Sequence, residues 1–237
     1  MGRIFQTRKA TMFKRYAKMA KQFTKIGKEI VMAVKQGGPN PDLNPKLRLC
    51  IANAKAVNMP KVNVDNAIKR ASEKDTNNYD EIIYEGYGPF GVPVLVECAT
   101  DNPTRTVANL RLYFNRSNGA LGTNGSVSFM FEHKGLFKLD ATGLDRDDVE
   151  MDLIDFGAEE LTWDDETNEL IVQVAFTDIG IMQNGLEEKK YTVKETIKTF
   201  IPTTTKELTD EQEEEFKKMI DKMEDDDDIM NVYHNIA

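Results

Sequence analysis

The sequence predicts an α+β chain: an N-terminal three-helix bundle followed by two ferredoxin-like α+β domains, the third inserted in the second. Three observations predict it. Apolar residues recur at helical spacing up to about residue 72, punctuated by breakers. After the polar stretch EKDTNN the pattern changes to short alternating strands interleaved with helices. A complete β-α-β-β-α-β run then lies between His133 and Pro202, flanked by pieces that do not complete a domain alone. The expected domains are therefore residues 1–74, residues 79–131 together with 203–237, and residues 132–202.

Taken in order, the first helix is read over residues 11–35, with Tyr16, Met19, Ala20, Phe23, Ile26, Ile30 and Val34 centred on one side. The cluster GGPNPDLNP ends it. Asn44 can cap a second helix that has Pro45 at its first position and Leu47, Cys50, Ile51, Ala54 and Val57 as its core face. Pro60 closes that helix, and Asn63 is expected to cap a third carrying Val64, Ala67, Ile68 and Ala71. Strands follow at Ile82–Tyr84 and Val92–Val96, joined by GYGPFG. Next comes a helix capped by Asp101 or Asn102, opened by Pro103 and ended by Gly119, and then a strand at VSFMF, 127–131. The inserted run reads as strand GLFKL, helix Asp145 to Phe156, strand ELTW, turn DDETN, strand LIVQVAF, helix Asp178 to Glu188 and strand YTVKETIKTFI. A last helix, Asp210 to Met223, carries Phe216, Met219, Ile220 and Met223 on one stripe, and a short strand runs from Ile229 to Tyr233.

Charge is split along the chain. Residues 1–70 carry 16 Lys and Arg against three acids, a net +13, whereas the remainder carries 15 basic and 37 acidic residues, a net −22. On the first helix, Lys14, Lys18, Lys21, Lys25 and Lys28 fall within a sector of roughly 80° opposite the apolar side. Solvated helix faces usually alternate signs; this row stacks like charges, flanked by Arg8, Lys9, Arg15 and Lys35. A polyanion backbone is the natural partner. The nucleic-acid-binding residues expected on this ground are Arg8, Lys9, Lys14, Arg15, Lys18, Lys21, Lys25 and Lys28. A membrane surface is the rival, but the apolar face is needed by the helices that follow.

Other function classes find little support. No apolar run approaches the roughly 18 residues of a membrane span, and the N-terminus lacks the apolar core of a signal peptide. Its Lys-rich start, with no Ser before Ser72, reads as part of a mature cytoplasmic protein. Cys50 and Cys98 sit in apolar patterns and read as buried thiols. His133 and His234 border strands and read as structural. GYGPFG lacks the spacing of a phosphate loop and reads as a turn. The run Asp225–Asp228 could attract a hard cation, but adjacent residues on a turn cannot converge on one ion. Neither catalytic residues nor a metal, cofactor or small-molecule substrate is expected, so the chain is read as a non-enzyme.

Several long stretches together resemble one family: FTKIGKEI (23–30), NPKLRLCIANAKAVNMPKVNVDNAIKRA (44–71), YEGYGPFGVPVLVE (84–97), TDNPTRT (100–106), GSVSFMF (125–131) and DDDDIMNVYHN (225–235). In this order, over essentially the whole chain, they are similar to the YebC/PmpR family, whose mitochondrial relatives are translational activators. Many members begin with a His-Ser-Lys-Trp-like segment, where this chain has Arg3-Ile4-Phe5-Gln6-Thr7. The resemblance implies a helical bundle, two α+β domains and no active site. It also implies one of two functions. The first is a DNA-binding transcriptional regulator. The second is a translation factor bound to ribosomal RNA at the ribosome, relieving stalled synthesis. Lysines outnumber Arg, Asn and Gln along the row, which favours phosphate and shape contacts over base readout.

Overall fold

A computed structural model of the chain describes residues 3–73 and 78–237, with side chains described from Met19 onward in the first helix. Three helices come first: α1 (Arg3–Gly37), α2 (Pro45–Ala56) and α3 (Lys61–Ser72). Two four-stranded antiparallel sheets follow. The chain folds as two compact units, residues 1–83 with 96–113 and 217–232, and residues 84–95 with 114–216 and 233–237.

In the first unit, the helical pattern becomes a core of Ile26, Ile30, Val34, Leu47, Cys50, Ala54, Val64, Ala67 and Ala71. Asn44 joins two helices. Its Oδ1 accepts from Leu47 N (3.0 Å) and starts α2, while its Nδ2 donates to the carbonyls of Ala33 (2.8 Å) and Gly38 (2.9 Å) at the end of α1. Gly38, at φ +86°, supplies the left-handed residue that stops α1, its N–H bonding back to Val34. The third helix starts two residues before the expected cap. Pro60 is its N-cap, and Asn63 lies inside it with its N–H already bonded to the Pro60 carbonyl (2.9 Å). Pro60 makes no side-chain cap bond, and its φ of −58° suits the entry into the helix.

Strands β1 (Asp80–Tyr87) and β2 (Pro93–Thr100) flank the glycine-rich connection, and helix α4 (Pro103–Arg116) follows, with Asn102 as the cap through Arg105 N (3.0 Å). The next strand is β3 (Ala120–Leu121), which pairs antiparallel with β1 through Gly86–Leu121 and Tyr87–Ala120. Residues 127–131, expected as a strand, instead hold a 3₁₀ turn at Ser128–Met130. The sequence alternation there is real: Val127 and Phe131 are buried and Phe129 is 73% exposed. The backbone N–H groups of Gly125, Val127 and Ser128, however, are taken by the buried Glu85 carboxylate, at 2.7, 2.7 and 2.8 Å. Val127 and Ser128 thus direct their donors at a side chain, and no ladder forms across the turn.

The second sheet lies within the second unit. It consists of β4 (Phe131–Asp140), β5 (Ala158–Asp164), β6 (Glu169–Ala175) and β7 (Val193–Pro202), in the order β5-β6-β4-β7, with antiparallel registers such as Phe137–Val172 and Leu136–Ile197. Helices α5 (Arg146–Asp155) and α6 (Ile179–Glu188) join it through Val149, Leu153, Met182 and Leu186, which pack with Phe137, Leu139, Leu170 and Val172. Asp145 caps α5 as the sequence predicts. Helix α7 (Asp210–Glu224) buries Phe216, Met219 and Met223, and β8 (Ile229–His234) completes the first sheet in the order β3-β1-β2-β8.

Candidate nucleic-acid interface

The lysine row on α1 meets an internal anion over its C-terminal half. Lys21 pairs with Asp225, both side chains substantially exposed. Lys25 Nζ donates to the carbonyl of Met230 at 2.6 Å. Burial, helped by Lys21, pushes the Lys25 ammonium below its ordinary pKa against the attraction of Glu224. Lys28 is only 9% exposed, and its Nζ donates to the carbonyls of Ala99 (3.0 Å) and Asp227 (2.6 Å) and approaches Asp228 at 3.5 Å. It also sits 5.0 Å from the centre of the Tyr79 ring.

The side chains of Asp225, Asp226 and Asp228, which follow α7, turn to different partners. Asp226 accepts from Asn109 Nδ2 and Tyr113 Oη, both at 3.0 Å, and burial together with that bond pushes the Tyr113 phenol up to about 12. Asp228 accepts from Arg105 at 2.6 and 3.1 Å and from Thr106 Oγ1 at 3.1 Å. Burial works to raise the Asp228 carboxyl, but the bonds from Arg105 and Thr106 and the Lys28 charge outweigh it and hold the group below the usual range. Burial and the charges of Asp226 and Asp228 push the Cys98 thiol up to about 12. Among the described residues, no group of three His, Cys, Asp or Glu is arranged to hold a metal ion.

The row therefore divides. Lys25 and Lys28 are drawn into the protein, and Lys21 lies at the solvent edge of the same contact. Arg8, Lys9, Lys14, Arg15 and Lys18 lie on helix α1, with side chains outside the described residues. The sequence reading sought an external anion for all five lysines and did not pair them with DDDD, about 200 residues away. The available signal was the opposite sign of two isolated charge runs. It also passed over Lys55, Lys61, Lys69 and Arg70, exposed cations on α2 and α3.

The other candidates have packing roles. His133 stacks between Phe176 (ring centres 3.6 Å apart) and Phe200 (4.3 Å). Burial pushes His234 below its ordinary pKa, and its ring meets Phe216 edge-on at 5.1 Å. The connection after β1 turns through Phe90 at φ 62° and Gly91 at φ 70°, and the Phe90 carbonyl accepts from Lys206. A carbonyl held by a lysine does not make an anion cradle.

Residues 3–74 match the model of the TACO1/YebC protein N-terminal domain, and residues 79–236 match that of the TACO1/YebC second and third domain. The chain belongs to the TACO1/YebC family. A relative from Cytophaga hutchinsonii, described as a probable transcriptional regulatory protein, is 55% identical over all of this chain and 99% of its own length. One from Flavobacterium johnsoniae with the same description is 52% identical over 100% and 99%. The crystal structure of a conserved hypothetical protein from Aquifex aeolicus matches with a TM-score of 0.77 and 33% identity, covering 92% of this chain and 90% of that one. The YebC/PmpR resemblance seen in the sequence thus holds over the full length. Among the described residues no helix is long and apolar enough to cross a membrane.

Proposed function

We propose that this TACO1/YebC protein is a nucleic-acid-binding regulator of gene expression, most simply a DNA-binding transcriptional regulator, and not an enzyme. The observation that carries the reading is the net +13 of residues 1–70 in a chain of net −9. An acidic remainder discourages polyanions elsewhere and directs them to the bundle. The relatives described as probable transcriptional regulatory proteins support the same reading. A translation factor on structured ribosomal RNA is the second reading, favoured by the dominance of Lys, which contacts phosphate rather than base edges.

Phosphate contact is assigned to Arg8, Lys9, Lys14, Arg15, Lys18 and the solvent-edge Lys21, with Lys25 and Lys28 anchoring the helix. The proposed domains are residues 1–74, residues 79–131 with 203–237, and an inserted 132–202. This division is supported by chain order, since one sheet draws strands from 80–121 and 229–234 and the other only from 131–202. If about five phosphates are neutralised, log K falls with log salt at a slope of roughly −4.5 on duplex DNA. A Lys14→Glu, Lys18→Glu double variant should weaken binding and flatten that slope by about 2. Unchanged affinity with the slope intact would remove these residues from the interface. Chromatin mapping set beside ribosome profiling separates the two readings.

A further inference from the structure

Gly27 lies in the interior of α1, a 35-residue helix, where glycine is the least favourable residue apart from proline. Such a glycine normally allows another element to approach closely. Here a Cβ built on Gly27 would meet nothing within 4 Å. No packing contact among the described residues requires it. What Gly27 borders instead is an open groove of about 330 Å³ between α1 and α3, within the first unit.

The groove has a defined chemistry. Phe23 and Tyr79 contribute aromatic surface. From α3, Asn63, Asn66 and Arg70 line it at i, i+3 and i+7, one face of that helix. Asn63 and Asn66 are exposed. Lys28 also contributes to the lining, and among the described residues no carboxylate does. The volume falls at the lower end of the range of small-ligand sites, about 300–1,000 Å³. Carboxamides carry a donor and an acceptor side by side, the pattern that base edges pair with. Aromatic surface receives unstacked bases, and a guanidinium receives phosphate.

We propose that this groove takes one unpaired nucleotide of the bound nucleic acid, and that Gly27 is kept without a side chain to admit it. The inference rests on the nucleic-acid reading above and sharpens it. Phosphates would be held along the N-terminal part of α1, while a base free of the duplex stack enters between α1 and α3. A fully paired duplex offers no such base, so the site discriminates single strands and loops from duplex.

The test uses the full chain and two labelled probes, a mixed-sequence single-stranded DNA of about twelve nucleotides and the duplex of the same sequence. The wild-type protein should bind the single strand more tightly. Gly27→Leu should raise Tm by about 2–4 °C, because it improves the helix at a position where a Cβ meets nothing within 4 Å. The same change should weaken single-strand binding roughly tenfold or more and leave duplex binding and the salt slope unchanged. An Asn63→Ala, Asn66→Ala variant should lose single-strand affinity by a similar factor with Tm unchanged. Full single-strand affinity in Gly27→Leu overturns the inference. So does a lower Tm, which would reveal a packing role for the glycine, and so does equal affinity of the wild type for both probes. If the wild type binds neither probe, the nucleic-acid reading itself fails, a result distinct from a groove that does not matter.

Discussion

Two buried carboxylates organise two different parts of this molecule, and they are held by opposite means. Asp228 accepts from side chains, those of Arg105 and Thr106, with Lys28 close by. Glu85 accepts three backbone N–H groups from the segment 125–128. Burial opposes ionisation at both, and at both the hydrogen bonds outweigh it, so each carboxyl titrates below its usual range. The difference lies in which donors each centre occupies. Asp228 and its neighbours take up cations that could otherwise meet a polyanion, whereas Glu85 takes up amides that could otherwise form a strand. The first limits the lysine row available for binding, and the second decides the local fold.

Removing the acceptor at the backbone-held centre should have the largest effect. Glu85→Ala leaves three N–H groups without their partner and should cost about 4 kcal/mol, with loss of protection at 125–128 by hydrogen exchange. A cost below about 1 kcal/mol would mean that water replaces the carboxylate and that this centre is no more than a surface turn. At the side-chain-held centre the loss should be smaller, because Asp228 keeps Arg105. Lys28→Met should cost about 2 kcal/mol by urea unfolding, while Lys21→Gln, at an exposed pair, should change stability by less than about 0.5 kcal/mol. Equal effects of these two would erase the distinction between the buried end of the row and its edge.

A further effect is with pH. Both carboxyls have folded values below their unfolded ones, near 4. Their stabilisation is therefore fully present above about pH 4–5 and is lost as pH falls through the folded values, by about 1.4 kcal/mol for each unit of depression. Stability followed by chemical denaturation from pH 7 to 3 should fall less steeply below pH 4 in Glu85→Gln and in Asp228→Asn than in the wild type. An unchanged slope in either variant would show that the centre it alters does not titrate on unfolding.

Local chemistry was mostly legible where the deciding partner is close in the chain, the start of α3 at Pro60 excepted. Asn44 caps α2 by accepting from an N–H only three residues on, Asp145 caps α5, and the apolar spacing of residues 26–71 becomes the bundle core. The α+β class and the order of the strands between residues 131 and 202 follow from the same short-range periodicity. The sequence also determined the charge split and, through long motifs, the family. Only tertiary structure decided where the lysines of α1 are neutralised, because Lys28 and Asp228 are 200 positions apart and no periodicity links them. It likewise decided that 127–131 turns instead of pairing, since its alternation suits a strand and the competing acceptor, Glu85, lies some 40 residues upstream. The groove beside Gly27 belongs to the same class: its walls come from two helices, Met59 and Tyr79, and a space between elements has no letter in the sequence.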